Sequence, residues 1–378
     1  MAGMADKTRK VTVLVGTNKG AFFFHSDTDR RNWEMTGPHL DGWEIYSLCG
    51  LNGNGNGHEN GGSGEGSRVF AGTSHFVYGP TIRFSDDLGA TWTQVEAGPS
   101  YSEESGFKLN RIWQIVPGHD TEPGTLYAGV DEAGLFASRD GGTTWEEVTG
   151  LTQHPTRDEW TPGNGGLCLH TILVDPGNPR RMWVGISAVG ALRTEDGGQT
   201  WQTCNQGLPQ LATGVRTQDV GRCVHKLVLD PKDANTLYCQ FHGGVFKSTD
   251  GADSWQPIEE GLPSNFGFPM GISASGDLFV VPLESDIQRH VKDGQLRVYR
   301  SRDGGAQWAP AGEGLPEQPH YVGVLRDAMA VDTLEPAGVY FGTSMGEVFY
   351  SPDAGEHWDR LPGQFPRITS IKAWVREG

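Results

Sequence analysis

An eight-residue motif with the pattern Ser-x-Asp-x-Gly-x-Thr-Trp recurs along the chain and constrains its fold more than any other feature. Six near-complete copies occupy residues 85–92, 138–145, 194–201, 248–255, 301–308 and 351–358. Trp33 follows Ser26 at the spacing of the other copies and marks a seventh, degenerate copy, in which Thr28 and Arg30 replace the aspartate and the glycine. The motif tryptophans are 50 to 59 residues apart, a period typical of repeat architectures such as propellers and solenoids.

The chemistry of the motif predicts a structural role for it. An aspartate in a tight turn accepts hydrogen bonds from backbone N–H groups, a glycine adopts positive φ, and a tryptophan packs the turn back against its own hairpin. We therefore expect the motif aspartates to be structural and not catalytic. They are Asp87, Asp140, Asp196, Asp250, Asp303 and Asp353.

Short runs of alternating apolar residues surround each motif copy in the same order. An innermost strand, here named A, is represented by residues 170–174 and 225–229, and strand B by 125–129 and 181–185. Strand C leads into the motif, as in 134–137, and strand D leaves it. Runs of this kind, bounded by Gly, Pro and Asp, predict β-strands. Repeated seven times, the unit predicts an all-β, seven-bladed β-propeller of four-stranded antiparallel blades.

The motif resembles the Asp-box, or BNR repeat, found in sialidases, sortilin-type receptor domains, xyloglucanases and a photosystem assembly factor. The resemblance extends from about Ser26 to Trp358 and implies one Asp-box in each C–D hairpin of the propeller. It also implies that the D-to-A and B-to-C connections lie on one face, around the pore mouth where ligands bind, with the Asp-boxes on the other face. Function stays open, because these families act differently.

The two ends of the sequence predict how the propeller closes. The chain begins at a strand B, residues 11–16, and ends on an unpaired strand A, residues 368–375. We expect the C-terminal strand to complete the first blade, which removes free sheet edges. Residues 1–378 are expected to form a single domain, with a disordered tail over 1–10 and a flexible Gly/Asn-rich loop over 51–68.

Charge and cysteine content exclude several classes of partner. The chain has 30 basic and 47 acidic side chains, a net charge of −17, and no Lys/Arg run, so we expect no nucleic-acid partner and no binding to an anionic membrane. No apolar stretch is long enough for a membrane helix or a secretory signal. An odd count of 5 cysteines without a CxxC pair favours a reducing, cytoplasmic location over a disulfide framework.

Polar residues occupy positions that the fold would bring to the pore mouth. Arg111, His170, His225 and Asp327 align at the starts of A strands, where core strands normally begin apolar. The predicted ligand-binding residues, from these strand starts and from B-to-C loops, are Lys19, His75, Arg111, His170, His225, His242 and Arg326. The candidate catalytic carboxylates are Glu44, Asp131 and Asp327, because acid–base chemistry needs paired carboxylates.

Three functions fit these residues. The leading interpretation is a sialidase-like or glycosidase-like propeller that binds a small polar or carbohydrate ligand and hydrolyses it, although the N-terminal Arg-Ile-Pro motif of sialidases is missing. The second is a non-catalytic scaffold for a protein or peptide. The third is a metal-dependent enzyme, in which a divalent metal is bound by His75, His170, His225 and His242. The cofactor is otherwise unknown.

Two cysteines lie near these histidines in the sequence. Cys223 precedes His225 by two residues, and Cys168 precedes His170 by two. On a strand, that spacing places both side chains on the same face. The imidazole could activate such a thiolate, but packing of a small core residue between blades is the favoured interpretation.

Overall fold

A computed structural model describes residues 9–52, 67–211 and 219–377. In these ranges the regular secondary structure is almost entirely β-strand, with one short α-helix, α1 (Thr149–Thr152), and three 3-10 helices. The 3-10 helices are Glu103–Ser105, Arg157–Glu159 and Lys292–Gly294. None of the helices described is long and apolar enough to cross a membrane.

Five of the sheets have four antiparallel strands in sequence order. Sheet 1 contains β4 (Glu44–Leu51), β5 (Arg68–His75), β6 (Gly79–Ser85) and β7 (Thr93–Gln94). Sheet 2 contains β8 (Arg111–Pro117), β9 (Leu126–Asp131), β10 (Gly134–Ser138) and β11 (Glu146–Glu147). Sheet 3 contains β12 (Leu169–Asp175), β13 (Asn178–Ile186), β14 (Gly190–Thr194) and β15 (Gln202–Thr203). Sheet 4 contains β16 (Val224–Asp230), β17 (Asp233–Phe241), β18 (Gly244–Ser248) and β19 (Gln256–Pro257). Sheet 5 contains β20 (Phe266–Ile272), β21 (Leu278–Leu283), β22 (Tyr299–Ser301) and β23 (Ala309–Pro310).

Sheet 6 has eight strands in the order β27-β26-β25-β24-β28-β1-β2-β3. From the first strand in the sequence to the last, they are β1 (Arg9–Thr17), β2 (Gly20–Asp27), β3 (Glu34–His39), β24 (Val324–Val331), β25 (Val339–Thr343), β26 (Val348–Ser351), β27 (Asp359–Arg360) and β28 (Ile368–Glu377). The last strand pairs antiparallel with the first along its length, as the sequence predicts. Its pairing with β24 is a single parallel pair, Asp327 with Ser370.

Apolar side chains fill the space between neighbouring sheets. Trp183 of β13 and Phe241 of β17, for example, share a cluster with Trp255 although they come from two different sheets, and all three are fully buried. Such repeated sheet-on-sheet packing, together with the four-stranded units, is the arrangement of a β-propeller.

The eight-residue motifs form the turns expected of them. In the copy at 138–145, Gly142 has a φ of 85° and its N–H donates to Ser138 Oγ at 2.8 Å. The N–H of Thr144 donates to Asp140 Oδ1 at 2.9 Å, and its hydroxyl donates to Oδ2 at 2.6 Å. Each carboxylate oxygen is therefore satisfied inside the turn.

The motif tryptophans follow two patterns, of which only one was expected. Trp92, Trp145 and Trp201 donate from Nε1 to the glycine carbonyl of their own turn, at 3.0 to 3.1 Å. The three later tryptophans instead donate to a carbonyl that follows the last strand of the preceding sheet. These bonds are Trp255 to Cys204 at 2.8 Å, Trp308 to Ile258 at 2.6 Å and Trp358 to Ala311 at 2.8 Å. In the later half of the chain, the motif thus links neighbouring sheets.

The degenerate motif copy near the N-terminus links the two ends of the chain. Arg30, which stands where five of the six other copies have glycine, has a φ of 55°. Its Nη1 donates to both oxygens of Asp332, at 2.8 and 3.1 Å. Its Nη2 donates to the carbonyls of Pro336 and Pro352, each at 2.8 Å. In this copy, a buried ion pair between Arg30 and Asp332 across sheet 6 therefore stabilises the turn in place of the motif glycine.

Strand register divides each sheet into two ends. At one end, here called the mouth end, Arg111 pairs with Asp131 and Glu44 pairs with Ser74. At the other, here called the box end, the motif serines pair with the first residues of the neighbouring strand, as Ser138 does with Leu126. The starts of the inner strands and the β5–β6, β9–β10 and β17–β18 hairpins therefore share the mouth end.

The predicted tail and loop fall largely outside the described residues. Of the tail over 1–10, residues 1–8 lie outside them, whereas Arg9 and Lys10 belong to β1, so this part of the prediction is wrong. Backbone pairing with β28 incorporates both residues into the sheet. Of the loop over 51–68, residues 53–66 lie outside the described ranges. Leu51 ends β4 and Arg68 begins β5.

Candidate functional site

A cavity of about 560 Å³ opens at the mouth end, where it is lined by Ser74 of sheet 1, by the mouth end of sheet 2 and by the connection from sheet 2 to sheet 3. Its walls carry charged, amide, hydroxyl and aromatic groups, which is the mixture that a polar-ligand site requires. The lining side chains include Ser74, Asn110, Arg111, Asp131, Glu132 and Trp160. Two of these, Arg111 and Asp131, are predicted site residues.

Asp131 is the most perturbed carboxyl group of the cavity. It is only 5% exposed, and its Oδ2 lies 3.5 Å from Arg111 Nη1. Burial raises the pKa of Asp131, the charge of Glu132 adds to this, and Arg111 opposes it. A buried carboxyl group with a raised pKa retains its proton to higher pH and can donate it to a ligand.

Arg111 belongs to a row in which two aromatic rings lie between two arginines. Its guanidinium lies 5.3 Å from the ring centre of Tyr46, which lies 4.9 Å from the ring of Trp113. At the other end of the row, the guanidinium of Arg326 lies 5.6 Å from the ring centre of Trp113. It also donates a hydrogen bond to Ser187 Oγ at 3.2 Å. Cation–π contacts of this kind fix the positions of both arginines.

Glu44 joins this row through Tyr46. Burial raises the pKa of Tyr46, and a hydrogen bond with Glu44 and one with Arg111 act on the same hydroxyl. Burial opposes protonation of Arg111, but the charges of Tyr46, Asp131 and Glu44 together raise its pKa. The structure therefore brings Glu44, Arg111 and Asp131 into one network.

Glu132, the residue after Asp131, contacts a different arginine. Its Oε1 is 3.7 Å from Arg157 Nη2. The Arg157 guanidinium packs 4.7 Å from the ring of Trp160 and 4.4 Å from that of Phe107. The cavity thus contains two carboxylates, Asp131 and Glu132, each beside a fixed cation.

An exposed aromatic shelf adjoins the cavity. It consists of Trp43, His75, Phe76 and Tyr78, at the tip of the β5–β6 hairpin and just before β4. His75 stacks with Phe76 at 4.5 Å and with Tyr78 at 4.9 Å, and Trp43 stacks with Tyr78 at 6.0 Å. Phe76 is 95% exposed and Tyr78 is 75% exposed. The sequence analysis missed the shelf, although Phe-Val-Tyr in a hairpin turn, where polar residues are usual, was its signal.

Asp327 lies in a buried ion pair and does not line this cavity. Its Oδ1 accepts from Lys226 Nζ at 2.6 Å, and the two side chains are 5% and 11% exposed. Burial and the charge of Lys226 lower the pKa of the neighbouring Lys372, whereas Asp327 raises it. Among the described residues, Asp327 Oδ2 has no hydrogen-bond partner. This carboxylate neutralises a buried lysine.

The four predicted metal-binding histidines are distributed over three environments. His75 belongs to the aromatic shelf. His170 is fully buried, with Nε2 at 3.0 Å from the carbonyl of Val224 and Nδ1 at 3.0 Å from Thr171 Oγ1, so both ring nitrogens are engaged. His225 and His242 come together, with ring centres 5.3 Å apart.

Cys223 completes a cluster with His225 and His242 at the mouth end of sheet 4. One ligand atom from each residue lies within 4.8 Å of those of the other two. Burial raises the pKa of the Cys223 thiol and lowers that of His225. Cys168, the other cysteine near a candidate histidine, donates to the Gly165 carbonyl at 3.1 Å, and burial raises its pKa to about 12.

Lys19, the remaining predicted ligand-binding residue, is exposed in the β1–β2 turn. A second and larger cavity, of about 1120 Å³, lies at the box end. Its polar walls are engaged elsewhere: Asp140 within its turn, and Arg68 with Asp86 at 2.6 Å. The mouth-end cavity, which contains the buried Asp131 with its raised pKa beside Arg111, is therefore the better candidate site.

Comparison with known proteins points to the same class of fold. No protein-family model matches the chain. Xyloglucanase Xgh74A of Acetivibrio thermocellus is 26% identical over 309 residues, which cover 70% of this chain and 35% of the relative. This chain thus spans about a third of the length of that curated relative.

Two solved structures are similar over most of their length. A protein from Lactobacillus plantarum has a TM-score of 0.58 at 11% identity, covering 97% of this chain and 99% of its own. YCF48 bound to a D1 peptide has a TM-score of 0.51 at 16% identity, covering 89% and 96%. At these identities the likeness concerns the fold. In sequence and in architecture, the chain is similar to xyloglucanases and to β-propeller proteins.

Proposed function

We propose that the chain is a single, seven-bladed propeller of the Asp-box, or BNR, type that binds a carbohydrate at its mouth end and hydrolyses a glycosidic bond there. The seven-blade count treats sheet 6 as two four-stranded blades, β28-β1-β2-β3 and β24 to β27, joined where the ring closes. The single parallel pair between Asp327 and Ser370 supports this division, since other pairs inside the blades are antiparallel.

The observation that carries the proposed activity is the pair of carboxylates in the mouth cavity. Asp131, whose pKa is raised by burial, serves as the general acid that protonates the leaving oxygen. Glu132, beside Arg157, serves as the base that activates water. Glycoside hydrolysis uses two carboxyl groups in different roles, one as the acid and the other as the base or nucleophile. The similarity to a xyloglucanase supports this chemistry.

The aromatic shelf suits a carbohydrate ligand. Exposed rings such as Phe76 and Tyr78 offer flat apolar faces to sugar rings, and Arg111 and Asn110 in the cavity offer hydrogen-bond donors to hydroxyl groups. A ligand of several sugar units would span from the shelf into the cavity, because Ser74 of β5 lines the cavity and His75 belongs to the shelf.

The test is hydrolysis and binding of xyloglucan oligosaccharides and other β-glucans by the purified chain and its variants. Asp131→Asn is expected to lower kcat by at least about a hundredfold, because it removes the proton donor. Glu132→Gln should have a similar effect, whereas Glu44→Gln should weaken binding through Arg111. Asp120→Asn, at the box end, is the matched control and should change neither.

Product analysis and calorimetry would separate the outcomes. Cleavage that is equally fast in Asp131→Asn contradicts the assignment of the acid. Saccharide binding without cleavage by the wild-type chain contradicts the proposed hydrolysis and leaves a carbohydrate-binding propeller. No binding of any saccharide contradicts the proposal as a whole.

A second candidate function is recognition of a peptide or protein. The exposed Phe76, Val77 and Tyr78 form an apolar tip, and YCF48, a similar structure, is bound to a D1 peptide. Peptide or protein recognition is the function to test next if the chain binds no saccharide. A cytoplasmic location is compatible with either function, since all five cysteines are free thiols.

A further inference from the structure

We propose that Cys223, His225 and His242 bind one thiophilic d10 cation, Zn²⁺ or Cu⁺, at the mouth end of sheet 4. One ligand atom of each residue lies within 4.8 Å of the others. Cys223 immediately precedes β16, and His242 immediately follows β17. The N–H of His242 donates to the Cys223 carbonyl at 3.0 Å, so strand pairing fixes the two ligands side by side.

The distance between the thiol and the first imidazole already matches a coordinated pair. Cys223 Sγ lies 3.6 Å from His225 Nε2. Bond lengths of about 2.3 Å to sulfur and about 2.0–2.1 Å to nitrogen, at a tetrahedral angle, place these two atoms about 3.6 Å apart. A cation can therefore enter between them without movement of either side chain.

His225 is oriented as a ligand by the neighbouring sheet. Its Nδ1 lies 2.6 Å from the Gly267 carbonyl, so Nδ1 carries the proton and Nε2 presents its lone pair to Cys223. The rings of Phe266 and Phe268 pack 5.4 and 4.7 Å from the imidazole. A backbone carbonyl that fixes the tautomer is the common support of metal-binding histidines.

His242 supplies the adjustable ligand. Its side chain is half-buried, and its Nε2 lies 3.8 Å from Asp286 Oδ2. Rotation of this ring brings Nδ1 toward the cation while Nε2–H is donated to Asp286. Asp286 would then be a positioning residue that raises the basicity of the imidazole.

The donor set and the surrounding charges select the class of cation. The positive charges of Arg326 and Arg289 act on His225 and oppose cations that are held by charge alone. Ca²⁺ and Mg²⁺ also need oxygen ligands, of which the cluster has none. Thiolate and imidazole favour soft and borderline ions. Within the described residues the cluster has three ligands, so a fourth position faces solvent beside the half-buried Cys223 and His242.

The test uses the full chain, stripped with a chelator under reducing conditions. Zn²⁺ is titrated against a chromogenic chelator, and Cu⁺ is titrated anaerobically against bicinchoninate. One equivalent per chain is expected for at least one of the two ions. Cys223→Ser and His242→Ala should weaken binding by more than about a hundredfold, and Asp286→Asn by about tenfold. His290→Ala, a half-buried histidine of the β21–β22 connection, is the control and should bind normally.

Cobalt substitution gives an independent spectroscopic result. Co²⁺ in the wild-type site should show a thiolate-to-metal charge-transfer band that Cys223→Ser lacks, while circular dichroism shows both proteins folded. Failure of both Zn²⁺ and Cu⁺ to bind stoichiometrically overturns the proposal, and so does unchanged affinity in the folded Cys223→Ser and His242→Ala variants. None of these results depends on the proposed hydrolysis, because no step of the assay uses a saccharide.

Discussion

The box end and the mouth end of the sheets shift the pKa values of Asp87 and Asp131 in opposite directions. Hydrogen bonds from Thr91 and Ser85 lower the pKa of Asp87 from 3.8 to about 2. At the mouth end, burial raises the pKa of Asp131, and its nearest cation is 3.5 Å away. The repeated carboxylates are thus satisfied inside their turns, whereas Asp131 has a raised pKa although Arg111 and hydrogen bonds from Leu167 and Asn110 act on it.

The two ends also differ in how their charge states affect folding. A carboxylate with a lowered pKa, such as Asp87, stabilises the folded state above pH 3.8, and this contribution is lost as the pH falls toward 2. A carboxyl group with a raised pKa, such as Asp131, has the opposite sign: the folded state is penalised once the pH is high enough to ionise it. The mouth end therefore carries a cost in stability that the box end does not.

The largest effect is expected at Asp327, a carboxylate that resembles neither end. Asp327→Ala leaves Lys226 buried without its partner, and loss of one member of a buried ion pair costs about 3–5 kcal/mol. Urea denaturation would measure the difference in the free energy of unfolding. A decrease in the free energy of unfolding below about 1 kcal/mol would show that Lys226 finds another partner or water. Asp327 would then again be a candidate for acting on a ligand.

A smaller effect is expected at the box end, and it should be confined to stability. Asp140→Ala removes the acceptor for Thr144 N, Thr144 Oγ1 and Ser138 Oγ, which should lower the free energy of unfolding by about 1–3 kcal/mol. Denaturation and saccharide binding would be measured in parallel, with Asp120→Ala as the control. Loss of saccharide binding without loss of stability would contradict the structural role of the box-end carboxylates.

Much of the fold could be predicted because the sequence repeats it. The motif spacing predicts the four-stranded units, and the position of residues 368–375 predicts the pairing of β28 with β1. The degenerate copy could not be interpreted in the same way. Arg30 stabilises its turn through Asp332, a partner about three hundred residues away that no local pattern reveals.

The candidate site was predictable only in part. Arg111 and Asp131 meet because strand register places them opposite each other, and alignment of strand starts predicts that. Contacts across sheets, such as Tyr46 with Trp113 or His225 with the Gly267 carbonyl, depend on packing between blades. Sequence spacing contains no information about that packing, so it could not separate the buried His170 from the half-buried His242.

The smallest and most informative effect is expected at Asp131 itself. Asp131→Asn removes the ionisable group but keeps the shape, and it should raise the free energy of unfolding at neutral pH by less than about 1 kcal/mol, since a buried charge is no longer required. Because the raised pKa means that the folded state favours the protonated acid, the stabilisation should shrink as the pH falls and vanish once the wild-type carboxyl group is protonated in both states. Denaturation at a series of pH values would measure this. Three contacts work against the gain: the charge of Arg111, which at 3.5 Å is farther away than a hydrogen bond, and the hydrogen bonds that Asp131 accepts from Leu167 and Asn110. Destabilisation at neutral pH would mean that these contacts outweigh the cost of burial, and Asp131 would then be a structural ion pair like Asp327. A gain in stability together with loss of activity would instead be the exchange of stability for function that a catalytic carboxylate requires.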